Sequence, residues 1–186
     1  MEKHYLQFLA SGYDRGAVLE ELMSEYGNDV WSFAYFLTKR RDAADDIAQE
    51  VFLAVYKRMY TFRGESSLKG WILTITRNKA LNYLKGSFIR KVVLGTDWQK
   101  KKEMEPSSAS AEQVALDRET SRHVWEQVMR LPLKHREVVV LAFHYELSMA
   151  EIAASLQVSE GTVKSRLHRA KRKMEALLKQ SEKEGI

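Results

Sequence analysis

Apolar residues recur every three or four positions along most of this chain, a spacing that predicts amphipathic helices almost throughout. Over residues 16–40 the pattern runs Val18, Leu19, Leu22, Met23 and Tyr26, then Val30, Trp31, Phe33, Ala34 and Leu37, with a break expected at Gly27-Asn28-Asp29. Residues 42–59 place Ile47, Val51, Ala54 and Val55 on one face with Phe52 and Met59 beside them, and residues 66–86 space Leu68, Trp71, Ile72, Ile75, Leu81 and Leu84 in the same way. No hairpin signal or period-two strand stands out. The β-prone run Val138-Val139-Val140-Leu141 lies between charged, helix-compatible flanks and is expected to form a buried helix. The least patterned stretch, 87–112, joins Lys100-Lys101-Lys102 to Glu103, Glu105, Pro106 and Ser107-Ser108-Ala109-Ser110, the composition of a flexible linker. The expected fold is therefore all-α: two small helical domains, 1–86 and 113–186, joined by a linker over 87–112. Three or four amphipathic helices are enough to close a core of that size.

Composition narrows the function classes. The 186 residues include no cysteine, which excludes disulfides, thiolate metal sites and cysteine nucleophiles. No stretch approaches the ~20 apolar residues of a membrane span, and Met1-Glu2-Lys3-His4-Tyr5 begins no signal peptide, so a cytoplasmic protein is expected. Five scattered histidines show no metal-ligand spacing; no metal or cofactor is expected. The net charge of +5 conceals an alternation: −3 over 1–60, +8 over 61–102, −4 over 103–129 and +4 over 130–186. Two basic blocks flanking an acidic one suit two polyanion-facing surfaces, although solvated helix faces are often locally basic as well.

The second basic block carries the sharper motif. Ser148-Met149-Ala150-Glu151 reads as a capping box, in which the serine hydroxyl accepts from the amide three residues on and the glutamate reaches back. Met149, Ile152, Ala153 and Leu156 share a face, Gln157-Val158-Ser159 supplies a short turn, and Ser159 can cap a helix from Glu160. Helix, short turn and helix make a helix-turn-helix. At 100° per residue, Leu167, Ala170, Met174 and Leu177 fall within about 40° of Val163. The opposite face gathers Gly161, Lys164, Ser165, His168, Arg169 and Arg172. Small residues allow close approach to a major groove, and Arg, Lys and Ser reach base edges and phosphates.

The first domain holds two further candidates. Phe62-Arg63-Gly64-Glu65-Ser66-Ser67 is a loop entering a helix that Ser66 or Ser67 can cap, and Arg77, Asn78, Lys79, Asn82 and Lys85 lie on that helix's polar side. Amides and cations beside aromatic residues suit single-stranded nucleic acid. Trp71, on the stripe with Leu68 and Ile72, is expected in the core, whereas chemistry alone leaves the loop and Asn78 open. Asp42, Asp45, Asp46, Gln49 and Glu50 make an acidic helix face, which either complements the helix dipole or meets a basic protein partner.

Taken in order, Asp42–Phe52, Phe62–Leu68 with Trp71, Arg77 and Asn78, and Leu131-Pro132 through Gly161–Ala170 resemble a bacterial RNA polymerase sigma factor of the extracytoplasmic-function (ECF) group, over residues 16–178. The resemblance implies a promoter-recognition subunit, not an enzyme. It implies docking on the β′ clamp helices of core RNA polymerase through Asp46, Gln49, Glu50 and Leu53, with the β flap as a second contact. It implies capture of a flipped −10 base on the non-template strand by Arg63, Gly64, Glu65, Ser66, Ser67, Asn78 and Asn82. Readout of the −35 duplex falls to Lys164, Ser165, His168 and Arg169, with Arg166 and Arg172 on phosphates. An anti-sigma factor is a further implied partner, and the linker corresponds to a segment threaded through polymerase channels. Two other classes are weaker. A stand-alone helix-turn-helix regulator leaves the acidic helix and the Phe62–Leu68 loop without a role. A metal-dependent nuclease would need a second acidic motif beside the one at Asp42–Glu50.

Overall fold

The computed structural model describes residues 14–94 and 113–183, with side chains described over 14–89 and 122–181. The linker core, including Lys100–Lys102, Glu103 and Glu105, lies outside the described residues. Among the described residues seven α-helices follow in order: α1 (Arg15–Thr38), α2 (Arg41–Arg58), α3 (Leu68–Leu94), α4 (Gln113–Arg130), α5 (Leu133–Val139), α6 (Met149–Leu156) and α7 (Glu160–Lys183). Short 3-10 and π-helical turns sit at Met59–Thr61 and Val140–His144. No strand occurs among the described residues.

Helices α1, α2 and α3 pack on one another as the first domain. Asp14 starts α1 by accepting from the Gly16 amide at 2.9 Å, and Lys39 ends it in the left-handed region, its N–H donating to the Tyr35 carbonyl. Between these caps the helix runs unbroken through Gly27-Asn28-Asp29, contrary to the expected interruption. A glycine inside a helix costs roughly 1 kcal/mol, and the burial of Tyr26 and Val30 on either side offsets it. Val18, Leu22, Phe33, Ala34 and Leu37 continue that buried stripe. It meets Ile47, Val51 and Val55 of α2 and Ile72, Leu73 and Ile75 of α3 in one core. Helix α3 outruns its expected end and reaches Leu94, so the first eight residues assigned to the linker are helical.

The second domain folds α5, α6 and α7 against α4. The Val138–Leu141 run is buried and helical as expected, with Val138, Val140 and Leu141 fully inside, but it passes from α5 into the π-helical turn. Arg136 explains how the short α5 is held. Its buried guanidinium donates to the carbonyls of Met129 and Leu131 at 3.0 and 3.1 Å, and to Leu37 at the end of α1 at 3.2 Å. One side chain thus satisfies carbonyl groups at the ends of two helices.

His135 is the opposite case. It is 3% exposed, and neither ring nitrogen has a hydrogen-bond partner among the described residues. Burial, with Lys134, Lys173, Arg169 and Arg166 nearby, lowers its pKa. The unfolded chain therefore takes up a proton near pH 6.5 that the folded chain refuses, and stability falls as pH drops below that value. His135→Phe is expected to flatten this dependence. Urea unfolding at pH 7.5 and 5.5 measures it; equal pH sensitivity in the variant would show that His135 is not its source.

Candidate functional site

Three outward surfaces emerge from this packing. On α2, Ala44, Ile47, Val51 and Val55 face the core, which turns Asp46, Gln49, Glu50 and Leu53 outward as a single stripe. Leu53 is 60% exposed, an apolar side chain set within acids and an amide. Glu50 accepts from Lys79 of α3 at 2.8 Å, a surface pair of small energetic weight. Asp45 accepts from the Trp31 indole at 2.7 Å and Asp42 pairs with Arg40, so part of the acidic face is engaged within the domain.

The second surface is the loop before α3 together with the outer side of that helix. Gly64 takes φ 72°, a left-handed conformation that a side chain would strain. Arg63, Gly64 and Glu65 are exposed, while Ser66 and Ser67 are half-buried. Ser67 caps α3, its hydroxyl oxygen accepting from the Gly70 amide at 3.1 Å. Trp71 is partly buried against the core, 5.4 Å from the Phe62 ring, as expected. Asn78 and Asn82 stand exposed one turn apart. At 1.5 Å rise per residue, Asn82 lies about 20 Å along the axis from the start of α3. The loop and the two asparagines therefore form an extended track rather than one pocket, the length of a few nucleotides.

The third surface is the helix-turn-helix. Ser148 and Glu151 form the capping box, Gln157 turns the chain with φ 56°, and the Ser159 hydroxyl accepts from the Thr162 amide at 3.2 Å to begin α7. Val163 and Ala170 are fully buried beneath α7, whereas Lys164, Ser165, His168, Arg169 and Arg172 are exposed. Arg166, expected among the phosphate contacts, is only partly exposed. It turns inward and donates to Glu137 of α5 at 3.1 Å.

Sequence reasoning missed how the domains meet. Glu137 is 4% exposed and also accepts from Arg77 of α3 at 2.9 Å, so a guanidinium from each domain converges on one carboxylate. Glu151 accepts from both the amide and the hydroxyl of Ser67. Burial alone would push the Glu151 carboxyl up, but the hydrogen bonds from Ser67 and Ser148 outweigh it and hold the carboxyl below its ordinary range. The Tyr145 hydroxyl donates to the Asp29 carbonyl at 2.8 Å, and Phe36 stacks on Trp125 with ring centres 4.8 Å apart. The capping box was a local signal for Glu151; nothing local pointed to its second partner. Among the described residues no three acidic or histidine side chains cluster as metal ligands would, and no helix is long and apolar enough to cross a membrane.

Residues 22–87 match the family model for sigma-70 region 2, and residues 122–174 match that for sigma-70 region 4. The chain is 31% identical over 150 residues to the ECF RNA polymerase sigma factor SigX of Bacillus subtilis, covering 80% of this chain and 77% of that one. It is 30% identical over 166 residues to the ECF RNA polymerase sigma factor SigL of Mycobacterium tuberculosis, covering 88% and 90%. The fold resembles that of CnrH, solved in complex with the cytosolic domain of CnrY, at a TM-score of 0.66 and 22% identity over 96% of this chain and 97% of that one. It also resembles the sigma factor RpoE of Bartonella quintana, solved with the anti-sigma factor NepR, at a TM-score of 0.66 and 24% identity over 86% and 95%. With both sigma-70 regions in order and relatives matched over most of their length, the chain belongs to the ECF RNA polymerase sigma factors.

Proposed function

We propose that this sigma factor binds core RNA polymerase through the α2 stripe and directs it to promoters by reading two DNA elements. Asp46, Gln49, Glu50 and Leu53 dock on the β′ clamp helices. Arg63 to Ser67, with Asn78 and Asn82, hold the melted −10 strand, and the cost of unstacking a flipped base, a few kcal/mol, is recovered in its contacts. Helix α7 enters the −35 major groove with Lys164, Ser165, His168 and Arg169 toward base edges and Arg172 toward phosphate. The domain of α1–α3, assigned to 1–86 and extended by α3 to Leu94, thus serves core and −10, the domain of α4–α7 (within 113–186) serves −35 and the β flap, and the remainder of 87–112 connects them. The protein acts in the cytoplasm. An anti-sigma factor is its regulator, a reading supported by the solved complex of the RpoE relative with NepR.

The observation that carries this reading is the two-sidedness of α7: Val163 and Ala170 fully buried, and five polar or basic side chains turned out from a capped helix-turn-helix. Gel filtration with core polymerase provides the test. The chain is expected to co-elute with the enzyme, and the assembled complex, not the free chain, is expected to retain promoter DNA. Tight, specific binding of a palindromic duplex by the chain alone would support a stand-alone regulator instead.

A further inference from the structure

The α2 stripe continues beyond Leu53. At 100° per residue Tyr56 falls on the same face, and Tyr60 follows it in the 3-10 turn Met59–Thr61, about 20 Å along the axis from Asp46. Tyr56 is 36% exposed and Tyr60 54%, so large side chains succeed one another outward from Leu53 to the end of the turn. Arg15, the first residue of α1, holds both rings. Its guanidinium carbon lies 4.5 Å from the centre of the Tyr56 ring and 4.7 Å from that of Tyr60, so one planar cation is shared between two aromatic faces. A terminal nitrogen of Arg15 donates to the Tyr56 carbonyl at 2.8 Å, one of the last four of α2, which a helix leaves to outside partners. Its Nε is buried without a hydrogen-bond partner among the described residues, a penalty that an arginine turned to water would avoid. Beneath the rings, the Thr61 hydroxyl donating to the Arg58 carbonyl at 2.7 Å and the buried Met59 fix the turn.

We infer that Tyr56 and Tyr60 extend the polymerase-binding face of α2 by about two turns, and that Arg15 is the positioning residue that sets both rings before docking. The inference rests on the core-docking reading above. An exposed side chain loses rotamer freedom when a partner covers it. Rings already stacked on a guanidinium have lost much of that freedom beforehand, so less of the contact energy is consumed in ordering them. Tyrosine suits such a face, since its ring is apolar and its hydroxyl can bond at the rim. The occupant is polymerase rather than nucleic acid for two reasons. The rings continue the face that carries Asp46 and Glu50, where phosphate is repelled, and the Arg15 charge is already engaged by two rings and a carbonyl. A face about 20 Å long also fits a partner helix lying beside α2.

Anisotropy titration of the labelled full chain with core polymerase tests this. Arg15→Ala, which leaves both rings in the chain, is expected to weaken binding about fivefold. Tyr60→Ala should weaken it about tenfold, and the double variant no further, because the two changes break one arrangement. Tyr60→Phe keeps the ring and should stay within about twofold of the parent. Helicity by circular dichroism and urea midpoints check that each variant folds. A role confined to anchoring α1 would lower the urea midpoint of Arg15→Ala and leave polymerase affinity unchanged, which overturns the inference. Losses that multiply in the double variant overturn it as well, since Arg15 would then not act through Tyr60. If Arg15→Ala and Tyr60→Ala instead weaken binding of random-sequence single-stranded DNA with core affinity intact, the stack belongs to the nucleic acid and the inference fails. Leu53→Asp separates the two readings. If it too leaves core affinity unchanged, the docking face itself is wrong; if it weakens binding while Arg15 and Tyr60 are indifferent, only the aromatic extension is lost.

Discussion

Leu53→Asp is expected to weaken binding to core RNA polymerase by roughly thirtyfold or more while leaving the fold intact. The side chain is 60% exposed on α2, so the change creates no cavity and breaks no core contact. On the proposed docking face, its contribution comes from the polymerase surface that would cover it. An apolar anchor at the centre of an interface commonly contributes about 2 kcal/mol or more, which is the thirtyfold. A carboxylate there would be desolvated among Asp46 and Glu50, adding like-charge repulsion to the lost burial. Gln49→Ala with Glu50→Ala should act in the same direction and less strongly, since Glu50 already shares its charge with Lys79. Fluorescence anisotropy of labelled sigma factor titrated with core enzyme measures both. Unchanged affinity in Leu53→Asp would move the docking face elsewhere.

The complementary expectation concerns α7. His168→Ala combined with Arg169→Ala should lower −35-dependent transcription by roughly ten- to a hundredfold, with core affinity unchanged. A good bidentate contact to a base contributes about 1–3 kcal/mol of discrimination, and single good contacts of that size set the range. Both side chains are exposed on the face opposite Val163 and Ala170, so truncation should not unfold the domain. A parallel measurement on a template lacking the −35 element separates the two steps. If the double variant loses activity equally on both templates, the helix does not read −35 DNA.

These two surfaces were legible in the sequence because each is a single helix with a strong period. Once Ile47, Val51 and Val55 are taken as core, the outward stripe of α2 follows from 100° per residue, and the same holds for α7 around Val163. The capping box at Ser148 was equally local and formed as expected. Where propensity and tertiary packing competed, packing prevailed. Gly27-Asn28-Asp29 reads as a break but continues α1, because Tyr26 and Val30 on either side are buried. Least legible was everything that depends on the meeting of the two domains. Arg77 and Arg166 look like ordinary DNA-facing cations, and only the fold brings Glu137, 60 and 29 residues away, between them. Arg136 gave no sign that it would close helix ends, since the carbonyls it serves belong to α1, to the last turn of α4 and to the residue just after it. Pairing across such separations is set by chain topology and leaves no periodic trace.

Run-off transcription from a random-sequence promoter library, with core polymerase reconstituted with the purified chain and the transcripts sequenced, joins all three surfaces in one readout. The proposed division of labour predicts start sites preceded by two short enriched motifs at a fixed spacing, absent with core enzyme alone. Start sites no different from those of core enzyme alone would contradict it.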